Sequence, residues 1–506
     1  MTKINERELF KPFNNCFERF KPNLEKKLQI GRYVVWGLSI AFFLTEYKLE
    51  NLQGMFFSIL VLFFTNLCFS LSNFSGRMAY SMFLASFFCF MLGRMSMEFI
   101  TVGKIQFDFT DDISKHMMLV IFLSLCFLQL GMIISKIIFK KNFFIDTKRK
   151  KKVFLEKKNI ERLRLNTKIL FYISAICVIT MYVEEIFFVW RFSYVDLYVN
   201  FSSNIPRIIQ IVGNMHIALF FLFFATCPNK RECLFPMILF LLISITVLVA
   251  GDRGTFVMNV AAILVYIFWR QYHDNEIWIN NKIIFVGIIS LPFVFVGLSF
   301  WVYIREGIDI GKHSFFAQFV RFFRKTGTSV DILGYGKEFQ TQFPQSFYSF
   351  GKVIDYIKYN PIAEKLLGVI SPKQYTVEYA TMMHSYAHTI SYFIFPEQYL
   401  LGHGKGSAYL AEIYQDFGYG GIIIWNALYG LFLSWFENGK GNIKNMSPYT
   451  IAIAFMMLRA MFYIPRGSAI YPVSEILNIT TVFIYLFIYI TIRYQKSVSS
   501  IFSMVN

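Results

Sequence analysis

Arginines, histidines and one glutamate carry most of the chemistry this sequence offers. Arg253 sits in a Gly251-Asp252-Arg253-Gly254 turn, and Arg305 follows Tyr303-Ile304. Arg459 lies inside an apolar run, and Arg466 follows it in Ile464-Pro465-Arg466-Gly467-Ser468. An arginine inside or at the edge of lipid is costly and usually faces a polar cavity; snorkelling at a helix end is the bland alternative. Several guanidinium groups around one outer cavity would suit an anion, and their forked geometry favours diphosphate oxygens. His384 and His388 are four residues apart and share a face if residues 378–395 form one helix. Histidine titrates near neutrality, which suits a general base or an orienting acceptor for a hydroxyl. For either one alone, a hydrogen-bonded loop residue is the structural alternative. Glu412 is a third candidate for that role, unless it caps a helix or pairs with Lys405.

These residues need something to hold them, and composition says what. The 506-residue chain is 56% hydrophobic, 19% aromatic and only 16% charged. No soluble core needs so much apolar residue. Apolar runs long enough to cross a bilayer recur at 31–48, 55–74, 79–99, 116–139, 168–190, 207–227, 234–250, 255–272, 283–303, 417–436, 446–464 and 477–495. In lipid such runs must be helical, because a helix satisfies its own backbone. The expected fold is all-α: a polytopic membrane protein of about twelve transmembrane helices with one large, mainly helical extracytoplasmic loop. Residues 1–30 form a basic arm, and the apolar stretch after them runs past any plausible cleavage site, so no cleavable signal peptide is expected.

The net charge of +18 is unevenly placed. Lys3, Arg7, Lys11, Arg19, Lys21, Lys26, Lys27 and Arg32 cluster at the start. Lys148, Arg149, Lys150, Lys151 and Lys152 lead a second cluster that ends at Lys168. The positive-inside rule puts both in the cytoplasm, with Lys230–Arg231, Lys440–Lys444 and the tail holding Arg493 and Lys496. Both termini are then expected in the cytoplasm, and the chain in an inner (plasma) membrane. The basic runs read as topology signals attracted to anionic lipid, and nucleic-acid binding is excluded because no soluble domain carries the charge. None of the seven cysteines falls in the large loop, so no disulfide framework or zinc site is expected there. The phosphate-cradling, dinucleotide and H-E-x-x-H motifs are absent, which removes support for ATP-driven transport and zinc proteolysis.

Four segments follow from this parity: the arm 1–30, helices across 31–303, an outer catalytic loop 304–416, and a last group of helices with the tail across 417–506. Loops this long are usually functional. This one holds four of the seven histidines, His313, His384, His388 and His403. Its stretch Ser314–Lys325, with Arg321 among Phe315, Phe319, Phe322 and Phe323, predicts a basic amphipathic helix in the membrane interface, ended by Gly327. Arg94 and Glu98 are spaced to pair on one helix, and Glu184 and Glu185 either line a cavity or mark a water interface.

The run Gly402-His403-Gly404-Lys405-Gly406-Ser407-Ala408-Tyr409-Leu410-Ala411-Glu412-Ile413-Tyr414-Gln415-Asp416-Phe417-Gly418-Tyr419-Gly420-Gly421 resembles the C-terminal block of the O-antigen and capsule polysaccharide polymerases called Wzy. In that family a Gly-rich turn, a small residue, Tyr and Glu precede a Phe-Gly-Tyr turn into a helix. The Gly-Asp-Arg-Gly turn is similar to the family's Gly-Ser-Arg turn, with Asp252 where Ser is common, and Pro465-Arg466-Gly467 also fits. The resemblance implies a type-C membrane glycosyltransferase acting at the outer leaflet on undecaprenyl-diphosphate-linked oligosaccharide, both donor and acceptor. It adds Lys405 and Tyr409, beside Arg321, as weaker substrate-binding candidates, and a chain-length regulator as a candidate partner beside the lipid bilayer.

The chemistry that such an enzyme needs is direct displacement. A growing glycan leaves its polyprenyl diphosphate as the terminal hydroxyl of an incoming repeat unit attacks the anomeric carbon with inversion. Neutralising the leaving diphosphate falls to Arg253, Arg305, Arg459 and Arg466, and activating the hydroxyl to His384, His388 or Glu412. The scheme requires no metal or other cofactor. A glycan ligase shares this topology and chemistry and is the nearest rival. A lipid-linked oligosaccharide flippase would not need the histidine-bearing loop, and a membrane O-acyltransferase would need its histidine near a cytoplasmic tunnel.

Overall fold

The computed structural model describes residues 11–140, 157–274, 277–306, 314–360, 363, 365–366, 368–437 and 446–505. His313, Lys148–Lys152 and Lys440–Lys444 lie outside them, and so does the Arg305 side chain, of which only the backbone is described. Among the described residues the chain is all-helical, with no strand. Met1–Asn73 forms one compact unit and Phe74–Asn506 a second. In the first, α1 (Lys11–Lys48) lies against α2 (Leu52–Leu71). Arg32 spans the pair, donating to the Cys68 carbonyl at 3.3 Å and to Ser72 Oγ at 3.0 Å.

The second unit opens with α3 (Ser75–Val102), α4 (Asp111–Lys140), α5 (Lys157–Arg191), α6 (Arg207–Ala225), α7 (Lys230–Val249), α8 (Arg253–Asp274) and α9 (Asn281–Glu306). The long connection after α9 folds as short helices: α10 (Phe315–Thr326), α11 (Asp331–Glu338), α12 (Gly351–Lys358), α13 (Val377–Met382), α14 (Tyr386–Ile394) and α15 (Pro396–Leu400). The chain closes with α16 (Tyr409–Glu437), α17 (Pro448–Met461), α18 (Tyr471–Leu477) and α19 (Ile479–Val505).

Nine helices among the described residues are long and apolar enough to cross a bilayer, or ten if α18 and α19, bent by 51°, make one span. The protein is therefore a multi-pass membrane protein. Of the other expected spans, 31–48 falls on α1, and 446–464 falls on α17, whose 14 residues reach only about 21 Å. The expected 417–436 span begins earlier, because its helix starts at Tyr409 and is broken at Gly418 (φ 60°, ψ −154°), a backbone only glycine adopts easily.

Two contacts fix the frame around the loop. A methyl group on Gly131 of α4 would strike the Ala427 backbone of α16, and one on Gly430 would strike Leu128, so these helices approach backbone to backbone. The expected amphipathic helix forms as α10, with the Ser314 hydroxyl accepting from the Ala317 N–H at 3.2 Å and Gly327 at its end. Its Val320, Phe322 and Phe323 share a core with Met97 of α3 and Leu298 of α9, while Phe315 and Phe316 stay exposed. The helix thus ties the loop's start to the spanning helices. Arg94 pairs with Glu98 at 2.8 Å, as their spacing predicts, and also with Asp331 at the start of α11. Burial, together with Glu98, pushes the Asp331 carboxyl up to about 6 against the pull of Arg94.

Candidate functional site

The Gly251-Asp252-Arg253-Gly254 turn starts α8 because Asp252 caps it. Its carboxylate accepts from the Thr255 N–H at 3.1 Å and the Thr255 hydroxyl at 2.6 Å, and Gly251 supplies the left-handed turn (φ 111°). Arg253 opens the helix, half-buried. Gly254 has to be glycine, since a Cβ there would lie 2.8 Å from the Tyr463 ring. Tyr463 begins the turn that carries Arg466, so the two arginine turns, far apart in sequence, meet. Arg466 is half-buried and donates to Ser329 Oγ at 3.2 Å, just before α11.

Arg459 differs. It is only 2% exposed, and its guanidinium is held by Asn259 of α8 at 2.6 Å and Glu475 of α18 at 3.3 Å. Asn259 in turn donates to Ser244 of α7 at 2.9 Å. A buried arginine in such a network braces three helices and projects a fixed positive field. Tyr182 lies within electrostatic range of Glu185, Asp252, Arg459 and Glu475, so the C-terminal half of α5 faces the same cluster.

Two carboxylates one helical turn apart on α16 set the loop. Glu412 is 2% exposed and accepts from the Ser407 hydroxyl at 2.6 Å and the Ala469 N–H at 2.8 Å. It therefore clamps the chain just after Arg466. It makes no pair with Lys405, whose ammonium lies over the Phe395 ring at 5.5 Å and within electrostatic range of Asp331. Asp416 accepts from the Tyr348 N–H at 3.1 Å and from the Ser349 N–H and hydroxyl at 2.6 Å each. That holds the turn into α12. Tyr409 is fully buried and donates to Asn426 at 2.7 Å, inside the packing of its own helix. Arg321 lies half-buried on α10, and His403 is exposed in the turn before α16.

The α12 helix brings in two residues that sequence reasoning did not single out. Lys352 stands 4.0 Å from the Tyr471 ring, near Glu475 and Glu412. The residue is exposed as a whole, while desolvation by the protein around it lowers its pKa against the pull of those carboxylates. Asp355, one turn on, accepts from His384 Nδ1 at 2.9 Å and from the His384 N–H at 2.9 Å. Burial raises the Asp355 pKa, and His384 pulls it back.

These bonds explain a departure from expectation. Residues 378–395 do not form one helix: α13 stops at Met382, and His384 sits in the break before α14. A continuous helix would send the His384 N–H to the Ala380 carbonyl. Asp355 takes that N–H, and the Thr389 hydroxyl takes the Ala380 carbonyl at 2.7 Å. His384 and His388 therefore do not share a face. With Asp355 on Nδ1, Nε2 of His384 takes no partner among the described residues. His388 bonds the Tyr399 hydroxyl at 3.1 Å and is enclosed by Tyr375, Tyr379 and Tyr399. Burial lowers its pKa to about 4.

No group of three or more His, Cys, Asp or Glu side chains among the described residues is placed to hold a metal ion. A small cavity lined by Ser75, Trp269, His273 and Glu437 lies at the far end of α8 from Arg253, away from this cluster. The acidic Glu475, so close to an apolar stretch, was the one missed partner with a sequence signal of its own, since acids at membrane depth mark function or a buried partner. A family model described as O-antigen polysaccharide polymerase Wzy matches residues 33–497. No curated protein and no solved structure matches the chain.

Proposed function

This chain belongs to the O-antigen polysaccharide polymerase family Wzy, and from that membership we propose the reaction its outer cluster performs. Polymerases of this kind act on lipid-linked oligosaccharide repeat units. Here the growing glycan leaves undecaprenyl diphosphate for the terminal hydroxyl of an incoming lipid-linked unit at the outer leaflet, by direct displacement with inversion and without a metal ion.

The observation that carries this reading is the meeting of the two arginine turns through Gly254 and Tyr463. Two half-buried guanidinium groups on adjoining turns suit a diphosphate, whose charge grows as the glycosidic bond breaks. Arg459 is too enclosed to reach a lipid headgroup and acts as a positioning residue through Asn259 and Glu475. His384 is the acceptor's base: Asp355 fixes its Nδ1–H tautomer, which leaves Nε2 free to accept the sugar hydroxyl proton. Lys352, solvent-accessible and near Glu475 and Glu412, adds positive charge.

The test is chain extension from purified lipid-linked repeat units by the purified full-length protein, with EDTA present. Arg253→Lys keeps the charge but loses the bidentate fork, and its glycan ladder shortens at normal protein level. A wild-type ladder from that variant overturns the diphosphate role, and loss of extension by EDTA alone overturns the metal-free scheme. Cysteine labelling on intact cells tests sidedness. A cysteine placed at 340 should react and one placed at 150 should not.

A further inference from the structure

We propose that Tyr194, Tyr198, Tyr375 and Tyr379 form a glycan-binding subsite beside the arginine turns, stacking on the sugar rings of the repeat unit. The proposal rests on the polymerase reading for the identity of the sugar, and on geometry for the place.

Tyr194 and Tyr198 come from the short connection between α5 and α6. Their rings stand edge to face at 5.2 Å, with hydroxyls 2.6 Å apart. The turn that presents them is fixed independently of the rings. Asp196 accepts from the Ser193 hydroxyl at 2.6 Å and from Asn200 at 2.9 Å. Beneath them Gly402 is glycine for space, since a Cβ there would meet Val199 at 2.6 Å and Val195 at 2.9 Å. The connection is thereby seated on the large loop. Tyr375 comes from that loop: its ring lies 5.4 Å from that of Tyr399, whose carbonyl accepts the Gly402 N–H at 2.9 Å, and Tyr379 lies beside it against His388. Tyr198 also lies in electrostatic range of Asp252, the neighbour of Arg253.

Three features favour a sugar over a lipid-facing aromatic belt. The belt alternative is present nearby for comparison. Phe187 and Trp190 are 65% and 72% exposed and make an edge-to-face pair with each other. Tyr198 is 44% exposed and its hydroxyl is engaged with Tyr194, so the exposed ring carries a fixed polar rim. An exposed aromatic ring with ordered hydroxyls at its edge fits a pyranose, which offers apolar C–H faces and an equator of hydroxyls. Second, Tyr375 holds a left-handed backbone (φ 60°), a strained conformation for a bulky residue, which clusters at ligand-binding positions. Third, Tyr198 lies within electrostatic range of Asp252, the cap of the turn assigned to the diphosphate, which is within reach of a glycan attached there.

The experiment uses full-length protein in nanodiscs and, as probe, the repeat-unit oligosaccharide freed from its lipid by mild acid. Saturation-transfer NMR and titration calorimetry measure binding. Tyr198→Ala should weaken binding about 3–10-fold, as loss of one stacking partner does. Tyr198→Phe keeps the ring and should lose less, Tyr375→Gly keeps the left-handed turn while removing its ring and should weaken binding, and Phe187→Ala should bind as wild type. Unchanged thermal stability in Tyr198→Ala assigns its loss to the ring and not to the fold. Equal affinity in wild type and Tyr198→Ala overturns the subsite, as does no binding of the probe by wild type. In extension assays, a raised KM for the incoming unit places the incoming sugar on the tyrosines, whereas shortened chains at unchanged KM place the growing chain there. A wild-type protein that binds the free oligosaccharide through Tyr198 but extends no chain leaves the subsite standing and removes the polymerase mechanism.

Discussion

His384 and His388, in the long connection after α9, are four residues apart and have come to rest in opposite environments. His384 lies in the break between α13 and α14, with Asp355 on one ring nitrogen and the other unclaimed. His388 lies on α14, closed in by three tyrosines, with its pKa driven down to about 4 by burial. The first arrangement prepares a ring to exchange a proton, and the second packs a neutral ring as an aromatic. The cause is one residue on a different helix. Asp355 satisfies the His384 N–H that a continuous helix would have used, and so creates both the break and the dyad. Chemistry and backbone geometry are set by the same carboxylate.

The largest effect expected from breaking this comparison is at His384. His384→Ala should lower chain extension by about 10²–10⁴, the range of a lost general base, with thermal stability close to wild type. His388→Phe, which keeps an aromatic ring in the cage, should extend chains at nearly the wild-type rate. Measured side by side on purified lipid-linked repeat units, equal losses in the two variants would remove the distinction between the sites.

Asp355→Asn comes next. The amide keeps the shape and a donor-acceptor pair but no longer fixes the Nδ1–H tautomer or balances a protonated ring. Extension should fall by about 10²-fold, the lower end of general-base effects, while binding of the lipid diphosphate persists. The pH–rate profile separates this from a structural lesion. Without Asp355 a protonated ring loses its partner, so the acid limb of the extension profile should move to lower pH, and a profile that only scales in height argues for mere positioning.

Gly351→Ala should do less, by an indirect route. The added methyl would overlap the His384 carbonyl, so α12, with Asp355, must move away from His384. Expected is partial loss of extension with normal diphosphate binding. The variant sharpens the comparison because it touches neither histidine ring. It should spare the His388 cage, where the ring contacts come from Tyr375, Tyr379 and Tyr399.

Much of this molecule was legible in its sequence, and the limit is physical. Apolar runs and caps are local signals, so the helices, the Ser314-capped α10 and the Arg94–Glu98 pair could be read from spacing. The arginine turns were legible as motifs, since Gly-Asp-Arg-Gly and Pro-Arg-Gly stand out among apolar residues. Their partners were not. Asp355 lies 29 residues from His384, Glu475 lies 16 from Arg459 across a turn, and Asn259 lies 200 away. Nothing local marks such a residue as a partner, because the bond exists only once the helices have packed. Glu412 shows the converse. It stands in the most family-like stretch of the chain, yet its carboxylate is occupied by Ser407 and Ala469. A motif residue can owe its place to holding the functional turn and not to chemistry.

The smallest expected effect is a pH signature of the tyrosine cage. His388 has a folded pKa of about 4 against an ordinary 6.5, and burial is the cause. The groups that face it are the tyrosines 375, 379 and 399, which stay neutral across this range, and no acidic side chain among the described residues bonds to it. The sign follows from proton counting. Between pH 6.5 and about 4 the unfolded chain binds a proton at this position that the folded chain refuses. The contribution of His388 to stability is therefore fully present above pH 6.5 and is lost as pH falls toward 4. His388→Phe removes the titrating group while keeping a ring against Tyr379 and Tyr375. Melting temperatures of the full-length protein in nanodiscs, taken from pH 7 down to pH 4.5, should fall less steeply in the variant than in wild type. A slope unaltered by His388→Phe would mean that the cage admits the charged ring, and the contrast between the two histidines would then rest on Asp355 alone.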